Sequence, residues 1–352
     1  MGVLSRAAVA VLATIFAIAS SGCGGPVSAS TKSATDSGPA QSVRIGYFPN
    51  LTHAPAIVGV QKGFFCARLG DTKLVPMTFN AGPAAIEALF SGALDMAFVG
   101  PNPTVNGFTK SNGTALRVVA GAASGGAGLV VRDGITTAAA LKGKKIATPQ
   151  LGNTQDVALR HWLQDQGLSS TAEGGGDVSI MPQDNSTALQ AFSSGAIDGA
   201  WVPEPYLTRM IQEGGGHLLV NEKDLWPDGK FVVTNLIVRK DFLDAHPATV
   251  SAVIQGELDA LDFMAADPAA AKESVNAGIM AIAGQKIQAT VLDRAWSNVD
   301  FTFDPLAATL VRGAANAEAV GLLPRADLTG LYDLRLLNAA LSARGQKEVS
   351  AP

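Results

Sequence analysis

The stretch SGALDMAFVGPNP, Ser91 to Pro103, returns about a hundred residues later as SGAIDGAWVPEPY, Ser194 to Tyr206. In a longer window, AIEALFSGALDMAFVGPNP from Ala85 lies in constant register on ALQAFSSGAIDGAWVPEPY from Ala188. Ser91, Gly92, Ala93, Asp95, Ala97 and Val99 recur as Ser194, Gly195, Ala196, Asp198, Ala200 and Val202. Each copy has helical spacing, then a glycine suited to end a helix, then a short apolar strand. A second strand precedes each helix, at 74–79 and at 177–182. A third strand–helix pair stands further upstream, VRIGYFPN in one half and KKIATPQLGN leading into DVALRHWLQDQGL in the other. The repeat therefore predicts an α/β fold of two similar lobes, each a parallel sheet made of right-handed βαβ units. The alternative is that a common stable unit occurs twice without a shared cleft.

In parallel sheets of this kind, ligands sit beyond the carboxyl ends of the strands. The loops at those ends are 49–53, 80–83 and 100–103 in one half, and 150–155, 184–187 and 203–206 in the other. They are rich in Asn, Thr, Gln, Ser and Gly and hold no Lys or Arg. GNTQD opens a helix, with Asn153 or Thr154 as N-cap, and NAGPAA opens another around Asn80 and Gly82, with Pro83 in its first turn. Free N–H groups at two such starts would suit a small oxyanion. Hydrogen bonds to a charged group contribute about 1.5–3 kcal/mol each, so three or four approach the ~8 kcal/mol of a micromolar site. The competing reading is that these residues only cap helices. Asn185 lies in the fifth loop. Glu204, between two prolines in WVPEPY, is either a solvated turn carboxylate or a partner for a cationic ligand group or for the opposite lobe. Tyr47, Phe48, Trp201 and Tyr206 could supply apolar walls, Trp201 equally a core residue.

Beyond the second copy, 217–221 and 234–240 read as strands, and the remainder as a helical cap returning to the first lobe. The expected organisation is a discontinuous lobe 1, residues 42–131 plus 236–352, and lobe 2, residues 132–235. Two strands near GLVVRD and TNLIVRK would cross between them as a hinge.

Catalytic chemistry finds little support. His53, His161, His217 and His246 are scattered without metal-ligand spacing. No nucleophile elbow, phosphate loop or dinucleotide fingerprint is present. His53, in a cleft loop, is expected to hydrogen-bond ligand or backbone. No metal and no cofactor are expected. The net charge of −4 without a basic run argues against nucleic acid, and 47% apolar with 16% charged residues suits a large core.

Residues 1–23 read as an export signal: Arg6, then an apolar run from Ala7 to Ala19, then Ser20, Ser21 and Gly22. The run is short for a membrane span. Small residues ending in Gly22-Cys23 resemble the lipobox of bacterial lipoproteins, although Ser20 stands where a large aliphatic is usual. Cys23 is thus a candidate lipid anchor, the alternative being a cleaved secretory signal with an incidental cysteine. Residues 24–41 read as a flexible tether. Cys66, the other of two cysteines, is expected to be a small buried apolar residue beside Phe64 and Phe65.

VRIGYFPNLTHAPAIVGVQKGFF, FNAGPAAIEALFSGALDMAFVGPNP, LKGKKIATPQLGNTQDVALRHWL and GAWVPEPY together resemble the substrate-binding proteins of ABC importers for aliphatic sulfonates, taurine and nitrate. The likeness runs from about Val43 through the helical tail. It implies a type II periplasmic-binding-protein fold, two lobes closing on a ligand that is passed to a membrane permease with its ATPase. It also implies an exported, periplasmic or lipid-anchored protein, expected to be monomeric and not an enzyme. The family's oxyanion-gripping helix start falls on Gly152, Asn153, Thr154 and Gln155; its other strand-end loops fall on Asn50, Asn80, Gly100, Asn102 and Glu204. Some members bind nitrate, sulfate esters or the pyrimidine precursor of thiamine, and a pyrimidine-precursor synthase on this fold carries a Cys-rich motif that has no counterpart here. Aromatics make up only 6% of the chain, which favours a small anionic organosulfur compound over a flat ligand.

Overall fold

The structure is a computed structural model that describes residues 36–351. The export signal, Cys23 and the tether up to residue 35 lie outside the described residues. Eleven strands are found among the described residues: β1 (Ser42–Tyr47), β2 (Lys73–Thr78), β3 (Met96–Val99), β4 (Leu116–Gly125), β5 (Ala127–Val131), β6 (Lys145–Thr148), β7 (Ser179–Pro182), β8 (Gly199–Pro203), β9 (His217–Asn221), β10 (Val232–Arg239) and β11 (Val299–Phe301). Seven helices connect the first nine: α1 (Ala54–Gln61), α2 (Phe64–Leu69), α3 (Gly82–Phe90), α4 (Pro101–Lys110), α5 (Thr154–Asp165), α6 (Asn185–Ser194) and α7 (Tyr206–Gln212).

The strands form two sheets, ordered β11-β4-β10-β3-β1-β2 and β7-β6-β8-β5-β9. Each has a parallel trio, β2-β1-β3 in one and β7-β6-β8 in the other, joined to one antiparallel strand, β10 or β5. The two copies of the repeat are α3–β3 and α6–β8. Gly92 and Gly195, just past the helices, have φ of +72° and +85°, as expected for helix-ending glycines.

The matched aspartates do the same work twice. Asp95 Oδ2 accepts the N–H of Arg44, and Asp198 Oδ2 that of Lys145, at 2.9 and 2.8 Å. Each thereby ties its own strand to the lobe's first strand. Their backbone carbonyls accept from the N–H groups of Arg239 and Arg132, at the ends of the antiparallel strands, and those guanidiniums donate to the carbonyls of Leu94 and Ile197. The repeat thus extends to an arginine pair that is not adjacent to it in sequence.

Both sheets are covered on two faces, as parallel sheets require. In the five-stranded sheet, Leu129, Ile146, Leu159, Trp162 and Trp201 pack one side, and Ala188, Phe192, Val202 and Met210 the other. Trp201 is therefore core, fully buried with its indole N–H on Glu222.

Several expectations need correction. Residues 127–131 pair in the second sheet, and residues 232–235 in the first, so neither 131 nor 235 is a boundary. The strands at GLVVRD and TNLIVRK are the antiparallel members of the sheets. The chain instead crosses at Gly125-Gly126, both with positive φ (+78° and +70°), and returns through 222–231. The tail is not all helical, because β11 follows the helix Ala289–Trp296 and joins the edge of the first sheet. Cys66 is exposed: α2 buries Phe65 and Leu69, four positions apart, which turns Cys66 outward. The last residues of the expected tether are tied down, with Ser37 N–H on the carbonyl of Ala245 and Ala40 N–H on Thr249 Oγ1.

Candidate functional site

At the carboxyl ends of both parallel trios the two halves line a small cavity. Eight of the twelve candidate residues line it: Asn50, His53, Asn80 and Gly100 from the first half, Asn153, Thr154, Gln155 and Asn185 from the second. Phe48, Thr52, Pro203 and Val233 complete the wall. Val233 carries no sequence signal for this place. It belongs to β10, which runs antiparallel, so its beginning lies where the parallel strands end.

Four helix N-termini meet here. His53, Gly100, Asn153 and Asp184 are the N-cap positions of α1, α4, α5 and α6, and none of their side chains makes a capping hydrogen bond. The capping-only reading of Asn153 therefore fails. The starts of α5 and α6, and at Asn102 that of α4, present N–H groups without a side-chain cap and the positive end of a helix dipole, whereas α1 continues the 3-10 turn Leu51–His53 and its first N–H, of Ala54, donates to the carbonyl of Leu51. Thr154 and Asn185 add side chains that are 6% exposed, with Thr154 Oγ1 and Asn185 Oδ1 buried and unpartnered. Gly100 allows the close approach: a Cβ there would stand 2.4 Å from Thr154 Oγ1.

Neutral donors, not cations, dominate the cavity, since no lining residue is Lys or Arg. His53 is 3% exposed, packs against Phe48 with ring centroids 4.3 Å apart and planes tilted by 32°, and accepts the Phe48 N–H at Nδ1 at 3.4 Å. Burial pushes its pKa down to about 3, so it is a neutral imidazole whose Nε2 carries the proton. The nearest buried acid on α5, Asp156, is occupied elsewhere. Its oxygens accept Thr148 Oγ1–H at 2.8 Å, the Gly152 N–H at 2.9 Å and Arg160 Nε–H at 3.0 Å. This clasp fixes the 148–152 loop and so positions Asn153. At the rim, Asn80 Nδ2 donates across to Asp184 Oδ2 at 3.1 Å.

Four candidates fall outside the cavity. Asn102 turns away and donates to the carbonyl of Gly313 at 3.0 Å. Gly152 serves the loop, with φ +74° and its N–H on Asp156. Gly82 begins α3 where a Cβ would meet Pro103 at 2.3 Å. Glu204 is buried and bound to protein: its carboxyl accepts from Thr208 N–H (3.1 Å), Thr208 Oγ1–H (2.8 Å) and Asn298 Nδ2–H (2.6 Å). Desolvation raises its pKa, opposed by those hydrogen bonds. Its carbonyl accepts the Leu51 N–H at 3.1 Å, so it is a link between the halves, one of the roles open to it in sequence. Asn298, in a tail segment with no evident chemistry, carries no sequence signal for this bond.

Among the described residues no group of three or more His, Cys, Asp or Glu is arranged to hold a metal ion.

Comparison with known proteins bears on the fold and the family. The taurine-binding periplasmic protein of Escherichia coli is 27% identical over 232 residues, 65% of this chain and 69% of that protein. The alkanesulfonate-binding protein SsuA from Xanthomonas axonopodis pv. citri, solved with MOPS bound, superposes with a TM-score of 0.68 at 23% identity, over 81% of this chain and 95% of that one. The nitrate-binding protein NrtA from Synechocystis gives 0.72 at 19% identity, over 86% and 89%. These likenesses show the two-sheet fold of periplasmic binding proteins. The NMT1-like family is matched over residues 36–279, and the chain belongs to that family.

Proposed function

We propose that this chain is the exported solute-binding component of an ABC importer, capturing a small organosulfur anion of the aliphatic sulfonate class. The observation that carries the reading is a cavity lined by the uncapped starts of α4, α5 and α6 and by neutral donors, without a Lys or Arg and without a catalytic pair. Dipoles and hydrogen bonds suit a permanently ionised, weakly basic oxyanion. The relatives that bind taurine and alkanesulfonates support the same class. Two lobes, changing over at Gly125-Gly126 and at 222–231, close on the guest because only the shut form contacts it from both sides. A permease with its ATPase then receives it, and Cys23 anchors the monomer to the membrane. No turnover is expected, because neutral His53 is a poor base and Cys66 lies on α2, away from the cavity. A flat pyrimidine fits less well, since Phe48, the one aromatic carbocycle in the wall, is already packed against His53.

The test is thermal stabilisation of the protein by methanesulfonate, longer alkanesulfonates, taurine, sulfate esters, nitrate, bicarbonate and thiamine-precursor pyrimidines. Stabilisation by sulfonates above all others is expected. A response confined to pyrimidines would replace the cargo, and silence across the panel would refute the site.

A further inference from the structure

A second cavity, of about 370 Å³, lies where the chain changes over between the halves, and it shares no lining residue with the first. Its volume falls within the roughly 300–1,000 Å³ of small-molecule sites. Gly126 and Lys223, one from each crossing, stand in its wall. Ala127, Leu207, Ile211 and Leu218, from the second half, give it an apolar side. Arg294, on the helix Ala289–Trp296, and Asn298 come from the tail that adds β11 to the first sheet. Gln212, Leu218 and Arg294 are exposed, so the cavity is reachable from solvent.

Its charge is one-sided. Lys223 and Arg294 are the ionisable residues of the lining, and both are cationic. Lys223 Nζ holds Asp300 at 3.1 Å. Among the described residues no carboxylate oxygen lies within 4 Å of the Arg294 guanidinium, and that side chain makes no hydrogen bond. The buried acid nearby, Glu204, has its carboxyl on Thr208 and Asn298, both of which line this cavity. An unpaired guanidinium beside an apolar wall suits a carboxylate, which it grips by two parallel N–H···O bonds.

Both halves wall this cavity, so its width changes as they turn about the crossings. In the described form the halves are shut over the first cavity, with Asn80 Nδ2 on Asp184 and the Leu51 N–H on the Glu204 carbonyl, and the second cavity stands open. A guest that fits the second cavity in this form favours this form.

We propose that the cavity at the crossings is a second ligand site, holding the carboxylate of a small organic monoanion on Arg294 and its short apolar body on Leu207, Ile211 and Leu218. The site stands independently of the function proposed above. Its coupling to the first cavity rests on that function: both guests favour the shut form, so each tightens binding of the other by the same factor.

The experiment is calorimetric titration of the whole protein with hexanoate, with hexan-1-ol, which has the body without the charge, and with methanesulfonate. Wild type should bind hexanoate at least tenfold more tightly than hexan-1-ol. Arg294→Gln, at an exposed position, should weaken hexanoate at least fivefold and leave methanesulfonate within threefold. Ile211→Trp, which fills the cavity from α7, should weaken both six-carbon compounds at least fivefold. Saturating hexanoate should tighten methanesulfonate at least threefold in wild type. No hexanoate binding, unchanged hexanoate affinity in Arg294→Gln, or displacement of hexanoate by methanesulfonate would overturn the site. Equal methanesulfonate affinity with and without hexanoate would overturn the coupling. Failure of methanesulfonate to bind at all would overturn the functional reading and the coupling, while the hexanoate titrations still decide the site.

Discussion

Replacing Thr154 by Val removes one hydroxyl and keeps the β-branched shape. Thr154 Oγ1 is buried without a hydrogen-bond partner from the protein. An unsatisfied buried hydroxyl costs about 1–3 kcal/mol, so its removal should leave stability unchanged or raise it. Binding would give that hydroxyl a charged acceptor, a bond of about 1.5–3 kcal/mol. At 1.4 kcal/mol per tenfold, the variant should bind sulfonate roughly 10- to 150-fold more weakly. Urea unfolding of the free protein and calorimetric titration of the anion read the two quantities separately. The signs matter more than the sizes, because a capping residue and a ligand donor predict opposite patterns. A cap would give a loss of about 1 kcal/mol in stability with affinity intact. That result would refute the argument that this helix start is kept open for a guest.

Two further outcomes follow from buried groups. His53, with its pKa lowered to about 3 from 6.5, binds fewer protons folded than unfolded, so its contribution is present above pH 6.5 and is lost as pH falls. Wild type should lose about 2 kcal/mol relative to His53→Gln between pH 6.5 and 5, measured by denaturant titration at each pH. Glu222, raised to about 7 from 4.5, acts with the opposite sign, so the same experiment on Glu222→Gln should show wild type losing ground as pH rises from 4.5 to 7. Parallel curves in either comparison would contradict the assigned burial. For Glu204, the structure expects Glu204→Ala to lower the unfolding free energy by about 2–4 kcal/mol, since Thr208 and Asn298 lose their acceptor. Unchanged stability with lost anion affinity would instead make Glu204 a ligand group.

Much of the architecture is legible in the amino-acid sequence. The repeat implies two βαβ-built halves, and the strand-end rule locates the six loops that meet. Helix starts at Thr154 and Gly82 are readable because Pro at the first turn, cap-type residues and periodicity act over a few residues. Eight of the twelve candidate residues do converge on one cavity. Sequence cannot say which way a loop side chain turns. Asn102 and Glu204 sit at strand ends as expected, yet each is claimed by a partner from far along the chain, Gly313 and Asn298. The position of the crossover is hidden for a related reason: a short apolar strand such as Ala127–Val131 reads alike in either sheet, and only pairing with β8 decides. Val233 reaches the cavity where the chain returns to the first sheet. Local patterns thus determine the elements and the openings of the helices, because their causes lie within one turn of the chain. Long-range packing alone decides which polar groups stay free for a guest, because a side chain's partner is chosen by what the fold brings beside it.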